Sequence, residues 1–200
     1  MRKINHRMAW RCVVAGAFLA LAALPSSVMA QTQERSGPYL QISLGALILQ
    51  DNDYTGGGRS FTGSYDVGPY GSVTLGYRLS PNFRVEVELG AAVTEFTPSG
   101  GSSGDRFGAI SGMIAGYLDV PVSTVVVPYI GLGIGAVGYT ARDWGGSGGF
   151  AAFGEAGVSI PITAQLDLVP ALRYSWLDAG SAYARADAGW LPKIGLRYAF

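Results

Sequence analysis

Glu86 and Glu88 stand two positions apart, which puts both carboxylates on one face of a strand. A carboxylate pair is the minimum for acid–base work, but the usual base near neutral pH is histidine. The only histidine, His6, and the only cysteine, Cys12, both fall within the first thirty residues. Beyond Ala30 there is neither imidazole nor thiol, which excludes His- or Cys-based nucleophilic chemistry from the rest of the chain. Asp51-Asn52-Asp53 with Gly56 has the opening of a calcium loop. Thr62 then occupies the twelfth position, where that loop needs a bidentate glutamate. Gly133-Ile134-Gly135-Ala136-Val137-Gly138 has the G-x-G-x-x-G spacing, which binds a dinucleotide only where a helix opens at it. These glycines instead alternate with apolar residues, and 140–149 is too glycine-rich for a helix. Glycine inside a strand admits close approach by long interior side chains. The expectation is no enzyme, no cofactor and no metal.

The remaining charged residues have a simpler chemistry. Arg84, Glu86, Glu88, Glu155, Asp167, Arg173, Lys193 and Arg197 are of mixed sign and lie on the polar faces of alternating segments. Buried charges must be paired, so this set is expected to form an ion-pair cluster. Arg84, Arg173 and Arg197 are expected to meet Glu86, Glu88, Glu155 or Asp167.

What would position them is a series of strands. In 166–176, Leu166, Leu168, Pro170, Leu172, Tyr174 and Trp176 alternate with Asp167, Val169, Ala171, Arg173 and Ser175. One face is large and apolar, the other small or polar, which is the period of a strand. The same period runs through 39–48, 83–93, 129–136 and 190–200, and more weakly through 70–79, 107–120 and 150–160. Eight strands of about ten residues match a membrane-crossing length of about 9–11. Short connections at 79–82, 121–125 and 161–165 alternate with long polar ones at 50–64, 97–105, 140–149 and 178–188. That alternation, with an even strand number, is the plan of an outer-membrane barrel.

The N-terminus supplies the export signal. Arg2, Lys3, Arg7 and Arg11 precede an apolar run over 13–24, and Val28-Met29-Ala30 ends it in small residues. This is the anatomy of a secretory signal peptide, with cleavage expected after Ala30. The apolar run is too short for a spanning helix. Cys12 precedes it and so is not a lipoprotein cysteine. The chain divides into a signal peptide, 1–30, and one barrel domain, 31–200. That domain has ten basic and fourteen acidic residues and one lysine, Lys193. Charged residues make up 14% of the chain and apolar ones 48%, which argues against disorder. Nothing is basic enough to favour nucleic acid, and the 30 glycines lack a collagen period.

Alternation does not say which face is outside. A soluble eight-stranded calyx for an apolar ligand would turn its leucines inward and its charges outward. The near-absence of lysine and the small residues of the polar face favour the reverse, since eight strands leave room only for side chains. Aromatics gather near the strand ends. Trp176, Trp190, Tyr139, Phe150 and Phe107 stand beside the long loops; Tyr77, Phe83, Tyr117, Tyr129, Tyr198 and Phe200 stand at the short-turn end. They are expected to form interfacial girdles, the alternative being ordinary strand enrichment.

Several stretches carry a resemblance. They are Gly76-Tyr77-Arg78-Leu79-Ser80-Pro81-Asn82-Phe83-Arg84-Val85-Glu86, Tyr117-Leu118-Asp119-Val120-Pro121, 127–135, Ala171-Leu172-Arg173-Tyr174 and Gly195-Leu196-Arg197-Tyr198-Ala199-Phe200. Over 31–200 the chain resembles the eight-stranded outer-membrane β-barrel family that includes opacity-type surface proteins and the OmpA-like transmembrane domain. The resemblance implies an all-β, antiparallel, up-and-down transmembrane barrel in the outer membrane of a Gram-negative bacterium. It implies outer-membrane lipid as surroundings. It also implies that Ile194, Leu196, Tyr198 and Phe200 form a signal for the barrel assembly machinery. The family's larger members add a peptidoglycan-binding domain, a role not expected of this chain. Two functions follow. One is a structural and surface-interaction role, adhesin- or opacity-like, with external loops facing an environmental or host ligand. The alternative is a small porin-like pore.

Overall fold

The computed structural model describes residues 36–50, 52–56, 59–98, 105–121, 125–141, 145–179 and 188–200. Ala30 and the proposed signal peptide lie outside them. Ten strands are assigned: β1 (Gly37–Leu49), β2 (Asn52–Gly56), β3 (Arg59–Tyr65), β4 (Gly68–Ser80), β5 (Phe83–Pro98), β6 (Asp105–Asp119), β7 (Val127–Ala141), β8 (Gly145–Pro161), β9 (Leu166–Ala179) and β10 (Ala188–Ala199). Eight of them close a cylinder. Each pairs antiparallel with its neighbour in the order β1-β4-β5-β6-β7-β8-β9-β10, and β10 returns to β1 with Tyr39 opposite Ala199 and Leu44 opposite Ile194. Closure leaves no sheet edge in the hydrocarbon layer, the condition for a spanning sheet.

The alternation decides which face is inside. On β7, Ile130, Leu132 and Ile134 are exposed, while Tyr129, Val137 and Tyr139 are buried. On β10, Ile194, Leu196 and Tyr198 face out, while Lys193 and Arg197 are buried. A soluble protein would not present such a continuous apolar exterior; lipid requires it. Leu172 and Ile194 are half-exposed on this outer face, which overturns the soluble calyx.

Two of the short connections fold as tight turns, and the third, at 121–125, lies mostly outside the described residues. Pro81 and Asn82 form one, in which the Ser80 hydroxyl accepts from the Phe83 amide at 3.1 Å. In the 162–165 turn, the Thr163 hydroxyl accepts from the amides of Gln165 and Leu166. Two features differ from the expectation. The barrel strands run 12 to 17 residues rather than about ten, because their outer ends leave the lipid and lose the apolar alternation there. The first long connection, expected as a loop over 50–64, contains the hairpin β2–β3. β5 continues to Pro98, past the level at which β4 begins, and β3 covers that edge by pairing Gly63–Tyr65 with Pro98–Phe96. An uncovered edge is a liability.

Candidate functional site: the barrel interior

The inward positions of the eight strands build three tiers. The tier at the short-turn end, where the chain enters β1 and leaves β10, centres on Arg84. Its Nε donates to Asp119 Oδ1 at 3.0 Å, and its Nη1 donates to Glu86 and to the Tyr39 hydroxyl. Tyr39 in turn donates to Glu86 at 2.6 Å. Arg197 donates from Nε to Gln41 Oε1 at 3.0 Å and from Nη1 to Ser159 Oγ at 2.9 Å. Its Nη2 stands 3.8 Å from Glu86.

The middle tier is a four-membered cluster of alternating sign. Arg173 bonds Glu88 through both terminal nitrogens and Glu155 through Nε at 2.8 Å. Lys193 bridges the same carboxylates, 3.2 Å from Glu88 and 2.9 Å from Glu155. Tyr70 donates to Glu88 at 2.9 Å and Tyr129 to Glu155 at 3.0 Å. All four charged groups are buried. The upper tier, toward the long loops, is apolar and includes Met113, Val137, Tyr139 and Ala151 on one side and Leu191, Tyr70 and Ala92 on the other.

Aromatic rings hold the guanidiniums flat. Arg84 lies 4.1 Å over the Tyr117 ring and 4.4 Å over Tyr129. Arg173 lies 3.7 Å over Phe153. Such stacking supplies attraction that a desolvated cation otherwise lacks. The inward glycines make room for these rings. A Cβ on Gly131 would sit 2.1 Å from Tyr117, and one on Gly133 2.3 Å from Phe153. The G-x-G run over 133–138 therefore lies within β7 and is a packing feature.

The structure brings Arg84, Glu86, Glu88, Glu155, Arg173, Lys193 and Arg197 together inside the barrel. Asp167 is different. It stays half-buried at the rim, opposite Arg197 in the β9–β10 ladder, because it is the second residue of β9, next to the 162–165 turn. Three expected girdle residues are corrected. Tyr117, Tyr129 and Tyr139 point inward and are 1%, 2% and 8% exposed. Their odd numbers share the phase of Ala115, Gly131 and Val137, so alternation governs where proximity to a loop does not. Tyr77, Phe83, Phe150, Trp176, Trp190, Tyr198 and Phe200 are exposed near the strand ends. The side chain of Phe107 lies outside the described residues. Asp119, Tyr39, Gln41 and Ser159 were missed as partners. Asp119 and Ser159 sit at strand ends, and Tyr39 and Gln41 share the inward phase of Ser43, the signal that would have found them.

Among the described residues no group of three or more His, Cys, Asp or Glu could hold a metal ion. The Asp51 position lies outside them. Each inward carboxylate of the cluster binds a cation, so Glu86 and Glu88 are ion-pair partners here. Ile194, Leu196 and Tyr198 stand on the lipid face, with Phe200 72% exposed and its ring 5.5 Å from that of Tyr198.

Residues 16–199 match the family described as outer membrane protein beta-barrel domain. No curated protein matches the chain. Among solved structures, the fold is similar to Neisserial surface protein A (NspA), with a TM-score of 0.65 and 18% identity over 82% of this chain and 98% of that one. It is also similar to the outer membrane protein OprG from Pseudomonas aeruginosa, with a TM-score of 0.59 and 14% identity over 83% of this chain and 97% of that one. At these identities the likeness is one of fold.

Proposed function

The chain belongs to the outer membrane protein beta-barrel domain family and resides in the outer membrane of a Gram-negative bacterium, and from that premise we propose that it is a closed envelope barrel whose work is structural and surface-interacting. The observation that carries this reading is the middle tier. Glu88, Glu155, Arg173 and Lys193 close a four-way ion-pair cluster in the centre of the barrel. Eight strands enclose little more than their own side chains, and this cluster spans what remains. A solute path would have to break several charge-assisted bonds, each stronger than a neutral hydrogen bond.

In this reading residues 1–30 are removed by cleavage after Ala30, and 31–200 form the barrel domain. Ile194, Leu196, Tyr198 and Phe200 serve the assembly machinery. No catalysis is assigned: beyond Ala30 the chain has no histidine or cysteine, and the inward carboxylates are held by cations. Binding of an environmental or host ligand is assigned to the long loops, because loops on a rigid scaffold carry recognition.

Single-channel recording in planar bilayers tests the central claim. The expected result is no large, stable open conductance. A large, stable one would make the pore the function and the ion-pair cluster a gate within it.

A further inference from the structure

Hydrogen bonding is not evenly matched at the short-turn end. Arg78, Arg84 and Arg197 converge there with the buried carboxylates Glu86 and Asp119 and, at the rim, Asp167. Arg84 takes the close bonds to both. Arg78 Nη2 is left 3.6 Å from Asp119, and Arg197 Nη2 is left 3.8 Å from Glu86. Arg197 is 2% exposed and makes its two hydrogen bonds to the neutral groups Gln41 and Ser159. Its Nη2, the Nε of Arg78 and the Nη2 of Arg84 have no hydrogen-bond acceptor. One acceptor atom, Asp119 Oδ2, is also unused. Unsatisfied donors therefore outnumber acceptors at this end, and they belong to cations.

Arg78 and Arg197 line a cavity of about 30 Å³ with Gly37, Pro38, Tyr39, Asp167 and Phe200 among its other walls. That volume exceeds the roughly 10–15 Å³ needed for one water and suits the head of a small oxyanion. The guanidinium forks present the planar donor pairs that carboxylates and phosphates accept. A buried guanidinium without a bonded counter-charge is costly, and an anion entering here would remove that cost.

We propose that this cavity is a binding site, open at the periplasmic end, for a small oxyanion group, either a carboxylate or a phosphate, held by Arg78 and Arg197. It rests on the short turns facing the periplasm, as the barrel reading has them. The site is separate from the external loops to which surface interaction is assigned. Asp167 on its rim sets the affinity by opposing the incoming charge.

The test is NMR of the folded protein in detergent micelles, with arginine side chains labelled with nitrogen-15. Sodium acetate and inorganic phosphate are titrated separately, with ionic strength held constant by sodium chloride. Saturable shifts of the Arg78 and Arg197 Nε signals are expected, with that of Arg173 unmoved. The acetate and phosphate arms distinguish a carboxylate site from a phosphate site. R78Q should weaken binding by about tenfold or more, as expected for loss of a charge-assisted bond. D167N should tighten it, a change opposite in sign to damage from misfolding. Equal, non-saturable shifts of all arginines, or no shift with either anion, would overturn the site, as would unchanged affinity in both variants. None of these outcomes depends on whether the barrel conducts.

Discussion

Arg173 on β9 and Glu88 on β5 meet across the barrel interior, Nη2 to Oε2 at 3.0 Å, although 85 positions separate them in the chain. Neither strand neighbours the other in the wall. The pair therefore ties opposite sides of the cylinder, and the contact exists only once the barrel has closed.

Glu88→Gln should expose the value of this tie. The change leaves Arg173 and Lys193 with Glu155 as their shared carboxylate. Removing one partner of a dry buried pair costs about 3–5 kcal/mol. Urea unfolding of the barrel in lipid vesicles should show a loss of that order. A second change, Lys193→Gln, made in the Glu88→Gln background should recover part of it, because the two residues share one network. Additive losses would show that the tier is wet and its members independent.

The eight strands and their inward and outward faces were legible because lipid imposes one rule along the whole exterior. Leu172 and Trp176 on one face of β9, with Arg173 on the other, already state it. The outer ends of β5 and β8 and the β2–β3 hairpin were not legible, because beyond the lipid both faces meet water and the alternation loses its cause. Which charges would gather was readable from phase; which partner each would take was not. That depends on the stagger of the closed barrel, and no local pattern encodes that Arg84 reaches Asp119 while Arg173 reaches Glu88. The rings were misread for a different reason. Tyr117 and Tyr129 stand beside turns, as girdle residues do, but their phase directs them onto Arg84.

Two glycines with opposite orientations should respond differently. A Cβ on Gly131 meets the Tyr117 ring at 2.1 Å, whereas one on Gly112 meets Leu89 at 3.7 Å, an ordinary contact on the lipid face. Gly131→Ala should cost about 1–3 kcal/mol, the range for overpacking a filled interior. Gly112→Ala should be close to neutral. Unfolding midpoints of the two variants in the same detergent compare them directly, and equal effects would contradict the assigned faces.

Phe200 offers a test of assembly separate from stability. Its side chain is 72% exposed, and its amide bonds the Pro38 carbonyl at 3.3 Å, so the finished barrel gains little packing from the ring. Deleting Phe200 should leave unassembled protein in the periplasm while purified protein still refolds in detergent. Fractionation with comparison of boiled and unboiled samples on gels separates the two effects. Normal outer-membrane levels after deletion would remove Phe200 from the assembly signal.

The lipid face itself can be probed at Ile134, near the middle of β7. Its neighbours in the ladders are Ile114 on β6 and Ala152 on β8, and Ile134 is 57% exposed. Neither ladder neighbour carries a charge that could pair with one placed there. Ile134→Arg should therefore cost about 2–4 kcal/mol, the range for arginine at the bilayer midplane of a barrel. A matched substitution on the same face nearer the lipid boundary, Ile130→Arg, which is 59% exposed, should cost less, toward about 0–1 kcal/mol by the same depth dependence. Reversible folding into vesicles of the two variants measures both. If the midplane arginine cost no more than the boundary one, the exposed row Ile130, Leu132 and Ile134 would not be facing hydrocarbon, and the placement of β7 across the membrane would fail with it.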